Sequence, residues 1–397
     1  MKSCVIVSNA VSDKIRSERK IYSDSPAATR KVFMWANTIK SRRVRSYILS
    51  LGRGKGNGSF QIYKAKVERR DGVAVIYLPF CHIPVVSELI TLFALPYFVW
   101  KLWRRNKSSF VYYNRMPAYI FGVVVGYYLG AKQFIDLEDG EVDDGRRTIK
   151  RKLERVIPFL FDKCCHHGAF LACSALSIYT KVRPIKNYYG VIDEDLESSR
   201  LFCAKNKVYV LLSGTLIADT GANRLISAIH KMRENYDDWM DSLEFSICGM
   251  GDSLSDFREL ASSSQAPTVR VYGRLNNVEY SRLLAASDIG LSLKPVGGIY
   301  ADTTFPSKVI EYSSNKLLVI ATDISDVKSV LGQNGACYLE GNDTDELINC
   351  LKQLMDNREL IDTIAMNGTL SLREKMGKTS VRREMEHFIF GGANGTL

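Results

Sequence analysis

One segment of the sequence combines the residue types that bind a phosphorylated ligand at the start of a helix. In the run Asp302-Thr303-Thr304-Phe305-Pro306-Ser307-Lys308-Val309-Ile310-Glu311-Tyr312, Thr304 is predicted to cap a helix whose first turn contains Pro306. The N–H groups of that turn and the positive end of the helix dipole attract a diphosphate, and Lys308 adds a point charge. Glu311 lies one turn further on, where its carboxylate can accept hydrogen bonds from both ribose hydroxyls. The alternative interpretation is a capped helix with a surface Lys308–Glu311 ion pair.

Three glycines that end predicted strands are further candidates for ligand binding. They are Gly214, Gly249 and Gly273, which follow strands predicted at 207–212, 243–248 and 269–272. Ligands of doubly wound sheets lie at the carboxyl ends of the strands, where a glycine lets backbone approach the ligand closely. Tight turns also need glycine, so each position alone is weak evidence.

Short apolar runs alternate with longer helical stretches along the whole chain, which is typical of parallel sheets covered by helices. In the first half the predicted strands are Cys4–Ser8, Arg45–Ser50, Ala74–Leu78, Phe110–Tyr113 and Gln133–Leu137. The predicted helices there are Ala27–Ser41, Val86–Arg105, Pro117–Leu129 and a basic helix over Asp144–Ile157 that Pro158 interrupts. In the second half, strands are also predicted at Ile289–Leu293 and Leu317–Ala321, with helices at Gly221–Glu234, Asn277–Ala286, Ser307–Ser314, Asp345–Met355 and Leu360–Met366.

The length of 397 residues exceeds the usual size of one hydrophobic core and predicts an α/β protein of two domains. We predict the first domain at residues 1–195 and the second at 196–375, with the polar stretch Asp193–Arg200 at the junction. Residues 376–397 are predicted as a C-terminal helix followed by a flexible tail.

The net charge of +11 is unevenly distributed. Residues 1–200 carry about +16 and residues 201–397 about −5, which indicates that the first half meets a polyanion. A solvated basic surface without a partner is the alternative. The apolar run Val85–Trp103 contains Glu88 and Pro96 and ends among Lys101, Arg104, Arg105 and Lys107. We therefore predict a helix that lies against the domain or enters the membrane surface, and not a spanning one.

Several other classes of function find little support in the sequence. The nine cysteines are scattered, which is typical of a reducing cytosol. Cys164, Cys165, His166 and His167 are contiguous, and contiguous helical residues point in different directions, so we expect no zinc site there. The apolar run after Met1 is too short for a secretory signal. Basic residues interleaved with aromatics in a known nucleic-acid module are absent from the sequence, so no nucleic-acid partner is expected.

The ordered motifs of the second half carry a family resemblance. The sequence resembles the GT-B glycosyltransferases, and more narrowly the retaining family 4-like enzymes of bacterial polysaccharide and lipopolysaccharide synthesis. The similarity runs from Lys207 to about Asn357, through Leu212-Ser-Gly-Thr-Leu216, Ile247-Cys-Gly-Met-Gly-Asp252, Val271-Tyr-Gly-Arg274, Ala286-Ser-Asp-Ile-Gly-Leu291, Phe305-Pro-Ser-Lys-Val-Ile-Glu-Tyr312 and Leu318-Val-Ile-Ala-Thr322. It implies two Rossmann-like domains whose parallel sheets face across a cleft, with the C-terminal helix packing back on the first domain.

The resemblance also implies roles for individual residues. Glu311 inherits the contact to the donor ribose, backbone near Gly273 and Arg274 holds the nucleobase, and Gly214 lies beside the phosphates. Three positions depart from the family pattern, because Thr303, Thr215 and Thr220 stand where relatives often carry glutamate, arginine and lysine. Relatives use those basic residues to neutralise the leaving diphosphate, so Lys308, Lys294 or Arg274 is expected to compensate. The predicted donor site is Gly214, Thr215, Gly249, Gly273, Arg274, Lys294, Thr303, Thr304, Phe305, Pro306, Ser307, Lys308 and Glu311.

In the first domain the resemblance places the acceptor site at two strand ends. The loop at Ser8 and Asn9 is expected to face the cleft and bind the acceptor. Glu138 and Asp139 follow a strand on the opposite wall and are candidates for binding or deprotonating the acceptor hydroxyl. Lys308 is the third predicted catalytic residue. A capping turn rich in Asp and Gly is the alternative.

These observations predict a hexosyltransferase that uses a nucleoside-diphosphate sugar, with UDP or GDP as the nucleotide and retention at the anomeric carbon. The expected acceptor is a lipid-linked glycan in cell-surface polysaccharide synthesis, and the expected location is cytoplasmic, at the inner face of the cell membrane. No cofactor or metal is expected, because in this fold side chains and a helix terminus take the place of the cation. A sugar-nucleotide epimerase of the same fold and an inactive membrane-surface adaptor are the alternatives.

Overall fold

The computed structural model describes residues 1–22, 24–56, 60–138, 149–192, 206–297 and 303–391, with backbone alone for residues 26, 27 and 149–155. The chain divides into two compact units. Unit 1 comprises residues 1–191 and 378–397, and unit 2 comprises residues 192–377. The boundaries predicted at 195 and 375 lie within four residues of these divisions, and the predicted junction at Asp193–Arg200 lies outside the described residues.

Unit 1 is built on a largely parallel sheet. Its strands are β1 (Lys2–Ser8), β2 (Val44–Ser50), β3 (Ile62–Tyr63), β4 (Lys66–Arg70), β5 (Val73–Tyr77), β6 (Phe80–Cys81), β7 (Ser109–Tyr113), β8 (Gln133–Leu137), β9 (Ala169–Leu171) and β10 (Ile185–Asn187). The sheet order is β10-β9-β8-β7-β1-β2-β5-β4, while β3 and β6 form a separate antiparallel pair. Strand β4 runs antiparallel to β5 at the sheet edge. Its polar sequence Lys66-Val-Glu-Arg-Arg70 has no apolar run, which explains why sequence periodicity did not predict it.

Several helices of unit 1 lie within residues 1–191. They are α1 (Asp13–Glu18), α2 (Pro26–Ile39), α3 (Pro84–Asn106), α4 (Ile120–Tyr128) and α5 (Ile149–Cys164). The prediction that Pro158 interrupts the basic helix is wrong, because α5 continues through Pro158 to Cys164. Phe161 and Cys164 in the continued turns are buried, and their packing offsets the hydrogen bond that proline cannot donate.

Unit 2 contains a fully parallel sheet with the order β13-β12-β11-β14-β15-β16. Its strands are β11 (Val208–Thr215), β12 (Leu243–Met250), β13 (Thr268–Gly273), β14 (Ile289–Ser292), β15 (Leu318–Thr322) and β16 (Cys337–Leu339). The chain builds outward from β11 through β12 to β13, and then returns to place β14 on the other side of β11. The β11–β14 boundary is therefore the switch point at which ligands of such sheets bind.

The helices of unit 2 are α6 (Ala222–Glu234), α7 (Leu254–Ser262), α8 (Asn277–Ala286), α9 (Ser307–Ser314), α10 (Val327–Leu331), α11 (Thr344–Asp356) and α12 (Glu359–Met376). The bounds predicted for α8 and α9 agree with the structure. Helix α12 extends ten residues beyond the predicted end at Met366, and α7 was not predicted. Buried Phe257 on α7 and Leu372 on α12 show that packing against the sheet and neighbouring helices supports these segments.

The C-terminal helix α13 (Lys378–Phe390) belongs to unit 1. Val381, Met385 and Ile389 are buried in the core of that unit, and the Phe388 ring lies 4.8 Å from the Phe170 ring. Arg382 donates a hydrogen bond of 2.8 Å to the Thr38 carbonyl at the end of α2. The predicted flexible tail falls on residues 392–397, outside the described residues.

Candidate functional site

The carboxyl ends of three strands meet beside the start of α9. Gly214 of β11 pairs in register with Gly249 of β12, and Gly273 of β13 pairs with Cys248 next to it. Lys308 in the first turn of α9 lies close to Gly214, because a Cβ placed on that glycine would be 3.6 Å from its Cε atom. The structure thus brings the predicted strand-end glycines and the predicted helix start together at one edge of the sheet.

Helix α9 begins two residues later than a Thr304 cap requires. Its N-cap is Pro306, whose position carries no side-chain cap, so the predicted capping role of Thr304 is wrong. A residue that precedes proline disfavours the helical conformation, which keeps Phe305 out of the helix. The Thr304 hydroxyl instead contacts the ammonium of Lys294. An N-terminal turn without a side-chain cap leaves its amide groups for a ligand.

Lys308 and Glu311 are joined by the hydroxyl of Tyr280 on α8. The Lys308 ammonium donates to the Tyr280 hydroxyl over 2.9 Å and also contacts the Glu311 carboxylate. The Tyr280 hydroxyl in turn donates to Glu311 Oε2 over 3.0 Å. The Lys308 and Glu311 side chains keep 33% and 35% of their surface exposed, so both remain accessible to a ligand.

The network continues into the sheet through Ser213 of β11. Ser213 Oγ lies 2.7 Å from the Tyr280 hydroxyl and 3.0 Å from the Tyr312 hydroxyl, which accepts a hydrogen bond from the Ser213 N–H. Because Tyr280 donates its hydrogen to Glu311, Ser213 must donate to Tyr280, and Tyr312 to Ser213. Burial and the nearby Glu311 raise the pKa of Tyr280, so this hydroxyl stays protonated and able to donate.

The glycines at these strand ends differ in what they accommodate. Gly249 has φ +151° and a Cβ there would lie 1.8 Å from the Gly214 carbonyl oxygen, so no other residue fits. Gly214 has φ +127° and Gly273 has φ +63°, but a Cβ at Gly273 would meet no heavy atom within 4 Å. Glycine at position 249 is thus required by the packing of two strand ends, whereas the open space beside Gly273 would let a ligand approach the backbone.

Other predicted donor residues lie on the same side of unit 2 with different surroundings. Thr215 is exposed, and its carbonyl accepts a hydrogen bond of 2.6 Å from the Thr220 hydroxyl. Arg274 is exposed directly after β13. Thr303 and Phe305 are half-buried ahead of α9, and Ser307 is exposed in its first turn. Residues 298–302, which lead into this segment, are outside the described residues.

The predicted acceptor residues of unit 1 are engaged within the unit. Ser8 is buried, and its hydroxyl accepts a hydrogen bond of 3.3 Å from the Ala10 N–H. The Asn9 amide donates to the Arg53 carbonyl over 2.8 Å and accepts from the Arg53 N–H over 3.0 Å. These two bonds join the loop after β1 to the loop after β2, and they occupy the amide that would otherwise bind an acceptor.

At the end of β8, Glu138 contacts the ammonium of Lys31 from α2. Lys31 Nζ is also 3.8 Å from Asp136 Oδ1, and the Glu138 N–H donates to Asn114 over 2.9 Å. Burial raises the pKa of Asp136 to about 7, with Lys31 opposing the shift and Glu138 adding to it. Among the described residues, neither Asp136 Oδ1 nor the buried Tyr188 hydroxyl has a hydrogen-bond partner. Asp139, the other predicted base, lies outside the described residues.

Sequence reasoning missed several residues of these two strand ends. Ser213 and Tyr312 lie within the motifs of the family resemblance, so their place in the motifs was a usable signal. Tyr280 carried no signal, because it lies 31 positions before Glu311 and meets it only through the packing of α8. Asp136 and Lys31 are joined across the interior of unit 1, 105 positions apart, and the sequence shows no spacing that pairs them.

A separate groove of about 640 Å³ in unit 1 lies between α5 and the segment 178–183. The one carboxylate among its lining residues, Asp162, is bound by Arg115 over 2.6 Å, by the Thr180 hydroxyl over 2.9 Å and by the Lys181 N–H over 2.8 Å. These three hydrogen bonds leave the Asp162 carboxylate little free capacity to act as a catalytic base. Within the described part of the chain, three or more His, Cys, Asp or Glu residues nowhere form a group that could hold a metal ion.

The geometry of unit 2 agrees with a sequence match. Residues 207–357 match the protein family described as Glycosyl transferases group 1. A curated relative, the phosphatidylinositol N-acetylglucosaminyltransferase GPI3 subunit of Saccharomyces cerevisiae (strain YJM789), is 21% identical over 193 residues. That alignment covers 46% of this chain and only 40% of the relative's length.

Solved structures are similar to this chain over nearly its whole length. Anabaena HepE in complex with UDP aligns with a TM-score of 0.64 and 13% identity, covering 98% of this chain and 99% of that chain. HepE has also been solved in complex with UDP-glucose. A glycosyltransferase from Rickettsia africae aligns with a TM-score of 0.67 and 12% identity, covering 99% of this chain and 100% of that chain. The chain therefore has the GT-B fold of these structures, and its residues 207–357 match the group 1 glycosyltransferase family.

Proposed function

We propose that this protein transfers a hexose from a nucleoside-diphosphate sugar to an acceptor hydroxyl, with retention at the anomeric carbon. The observation that carries the proposal is the convergence of Lys308, Glu311 and Tyr280 beside Gly214 and Gly249 at the end of the unit 2 sheet. HepE, which shares this fold, was solved with UDP and UDP-glucose, and this supports a nucleotide-sugar donor.

On binding, the donor would replace the contact between Lys308 and Glu311. The diphosphate would take the Lys308 ammonium and the amide groups at the start of α9, while the ribose hydroxyls would donate to Glu311. Tyr280 bonds both residues and would keep their side chains in position through the exchange. The Lys308–Glu311 ion pair thus prepares the site by holding each charge where its new partner arrives.

The transfer step breaks the bond between the anomeric carbon and the diphosphate oxygen and forms a bond from that carbon to the acceptor oxygen. The acceptor proton leaves to a base, for which Glu138 and Asp139 remain candidates. Negative charge grows on the leaving diphosphate, where Lys308 and the α9 amides stabilise it. In this proposal protein groups supply the positive charge without a resident metal ion, so protein treated with EDTA is expected to keep its activity.

We further propose that the acceptor is a lipid-linked glycan used in cell-surface polysaccharide synthesis, and that the enzyme works at the cytoplasmic face of the membrane. The excess positive charge of residues 1–200 supports an anionic acceptor or surface. The curated relative is named for a transfer to phosphatidylinositol, which also supports a lipid acceptor.

The decisive experiment measures UDP and GDP binding by calorimetry to the wild-type protein and to Glu311→Ala. Loss of the carboxylate is expected to weaken nucleotide binding by about 10- to 100-fold, since it removes charge-assisted hydrogen bonds to the ribose. Glu311→Gln keeps an acceptor oxygen and should lie between the two. Glu259→Ala, which removes an exposed carboxylate from α7, is the control.

Unchanged affinity in Glu311→Ala would refute the ribose contact and, with it, the donor site. A separate incubation with UDP-glucose alone, followed by mass spectrometry and sugar chromatography, tests the reaction class. A transferase should leave the donor intact or hydrolyse it slowly, whereas conversion to an epimeric sugar would establish the epimerase alternative.

A further inference from the structure

Helix α3 has one buried face and, on its opposite side, an exposed face of apolar side chains. The side chains buried in unit 1 are Ser87, Thr91, Leu95, Val99 and Leu102. A second stripe is 39% to 72% exposed and consists of Val85, Leu89, Phe93, Tyr97 and Trp100. Each member of the second stripe precedes a member of the first by two residues, which corresponds to about 200° around a helix. A helix at a water-exposed surface would carry polar residues on this outward face.

Helix α4 extends the exposed apolar surface. It packs directly on α3 at Gly122, where a Cβ would lie 2.8 Å from the Leu95 side chain. Phe121, next to this contact, is 52% exposed, and Tyr128 at the end of α4 is 83% exposed. We call the outward stripe of α3 together with Phe121 and Tyr128 the α3–α4 surface. Contiguous exposed apolar surface of this kind marks a site of interaction.

The charges around the α3–α4 surface are predominantly positive. Lys101, Arg104, Arg105 and Lys107 are exposed at the end of α3. Three of these cations lie over aromatic rings of the same helix: Lys101 over Tyr97, Arg104 over Trp100 and Lys107 over Trp103. The carboxylate on the outward side, Glu88, is bound to Arg53 over 2.7 Å, so its charge is compensated. An anionic partner is therefore favoured.

The order of residue types along α3 indicates how that partner is arranged. Val85, Leu89 and Phe93 come first and have no polar atoms in their side chains. Tyr97 and Trp100 follow, and the cations come last. Tyrosine, tryptophan and basic residues are enriched where hydrocarbon meets lipid headgroups. This gradient matches a tilted helix whose first half enters the lipid and whose second half lies among phosphates.

We infer that the α3–α4 surface docks unit 1 on an anionic lipid bilayer, with α3 lying in the interface. Among the described helices, α3 alone is long and apolar enough to cross a membrane by length and composition. Its inward stripe is packed in the core of unit 1, so crossing would require the helix to leave that core. The inference deepens the proposed function by naming the surface that brings the enzyme to a lipid-borne acceptor.

Vesicle flotation of the full chain tests the inference. Wild-type protein is expected to float with vesicles of phosphatidylcholine and phosphatidylglycerol, and to float less with pure phosphatidylcholine or at high salt. Leu89→Asp combined with Phe93→Asp should lower the bound fraction by about tenfold or more, because it places charges in the apolar stripe. Arg104→Glu combined with Arg105→Glu should also lower the bound fraction, and this loss should be larger at low salt than at high salt.

A matched variant separates this surface from general effects. Met366 and Leu370 on α12 of unit 2 are 50% and 54% exposed, so Met366→Asp with Leu370→Asp introduces the same charges at similar exposure. This control should float like wild type. Equal flotation of the Leu89/Phe93 variant and the wild-type protein would overturn the inference, as would an equal loss in the control.

Two further measurements separate other outcomes. UDP binding by the Leu89/Phe93 variant should be unchanged, so failure of membrane docking remains distinguishable from failure of the proposed donor site. Light scattering in the absence of lipid tests whether a second copy of the chain covers the surface. A dimer that the Leu89/Phe93 variant abolishes would replace the bilayer as the occupant and overturn the inference.

Discussion

The two sheets of this protein end in different ways, although both follow the same parallel α/β design. At the end of the unit 2 sheet, Lys308 and Glu311 remain about one-third exposed beside strand-end glycines. At the end of the unit 1 sheet, Asn9 binds backbone, and Asp136 and Glu138 are held by Lys31. Polar residues at strand ends are therefore most available to a ligand where contacts within the fold leave them partly exposed.

The largest effect is expected at the packed strand ends of the unit 2 sheet. Gly249→Ala should reduce the free energy of unfolding by about 3 kcal/mol or more, because it combines an unfavourable φ with a clash against the Gly214 carbonyl. Gly273→Ala should cost only about 1 kcal/mol, since it adds a left-handed residue in open space. Urea unfolding measures both, and equal losses would contradict the described difference between the two glycines.

The next effect is a pH dependence of stability that arises at the end of the unit 1 sheet, where Asp136 and Glu138 contact Lys31. The pKa of Asp136 is raised to about 7 in the folded protein from an ordinary value of about 3.9. The folded state therefore binds more protons between these values, and the stability contributed by protonated Asp136 is lost as pH rises through about 7. Asp136→Asn should remove this loss, gaining on the order of 2–4 kcal/mol relative to wild type between pH 4 and 8.

Urea unfolding of Asp136→Asn is best followed by the fluorescence of Trp35, whose ring lies 6.2 Å from the Tyr188 ring in the same region. Asp219→Asn, at an exposed carboxylate of unit 2, is the control for charge removal. If the difference in the free energy of unfolding between Asp136→Asn and wild type does not change with pH, Asp136 is ionised throughout this range. Its surroundings are then more hydrated than its burial indicates.

Asn9→Ala tests whether the Asn9 amide serves the fold of unit 1. The loss of two hydrogen bonds to Arg53 should lower the free energy of unfolding by about 1–2 kcal/mol. Nucleotide affinity should stay at the wild-type value, because the Asn9 amide serves the fold of unit 1. Calorimetry with UDP, paired with urea unfolding, checks both statements. Weaker acceptor turnover at unchanged stability would instead return Asn9 to the acceptor site.

The smallest effect is expected from loss of the Tyr280 hydroxyl, which joins Lys308 to Glu311. Tyr280→Phe should weaken UDP binding by about fivefold, corresponding to one hydrogen bond of about 1 kcal/mol, since Lys308 and Glu311 lose their shared partner. Tyr236→Phe is the matched control, because its exposed hydroxyl donates to Asp241 over 2.7 Å away from these strand ends. Equal affinities of the two variants would assign Tyr280 to the fold alone.

Most of the second half of the chain could be predicted because its signals are local. The bounds of α8 and α9 follow from a capping residue, a proline and apolar periodicity over about two turns. Short strands such as β9 and β10 escaped prediction because three residues carry no period. The capping residue of α9 was placed two positions too early, at Thr304 instead of Pro306, because proline keeps the preceding Phe305 out of the helix.

By itself, the sequence determined the alternation of strands and helices, the strand-end glycines and the Lys308–Glu311 spacing, because each depends on neighbours a few positions apart. The tertiary structure was needed to show that Tyr280 joins Lys308 to Glu311, that Lys31 meets Asp136 and Glu138, and that the outward face of α3 is exposed. These features depend on which elements pack together and on the water that packing excludes, and neither is written in local spacing.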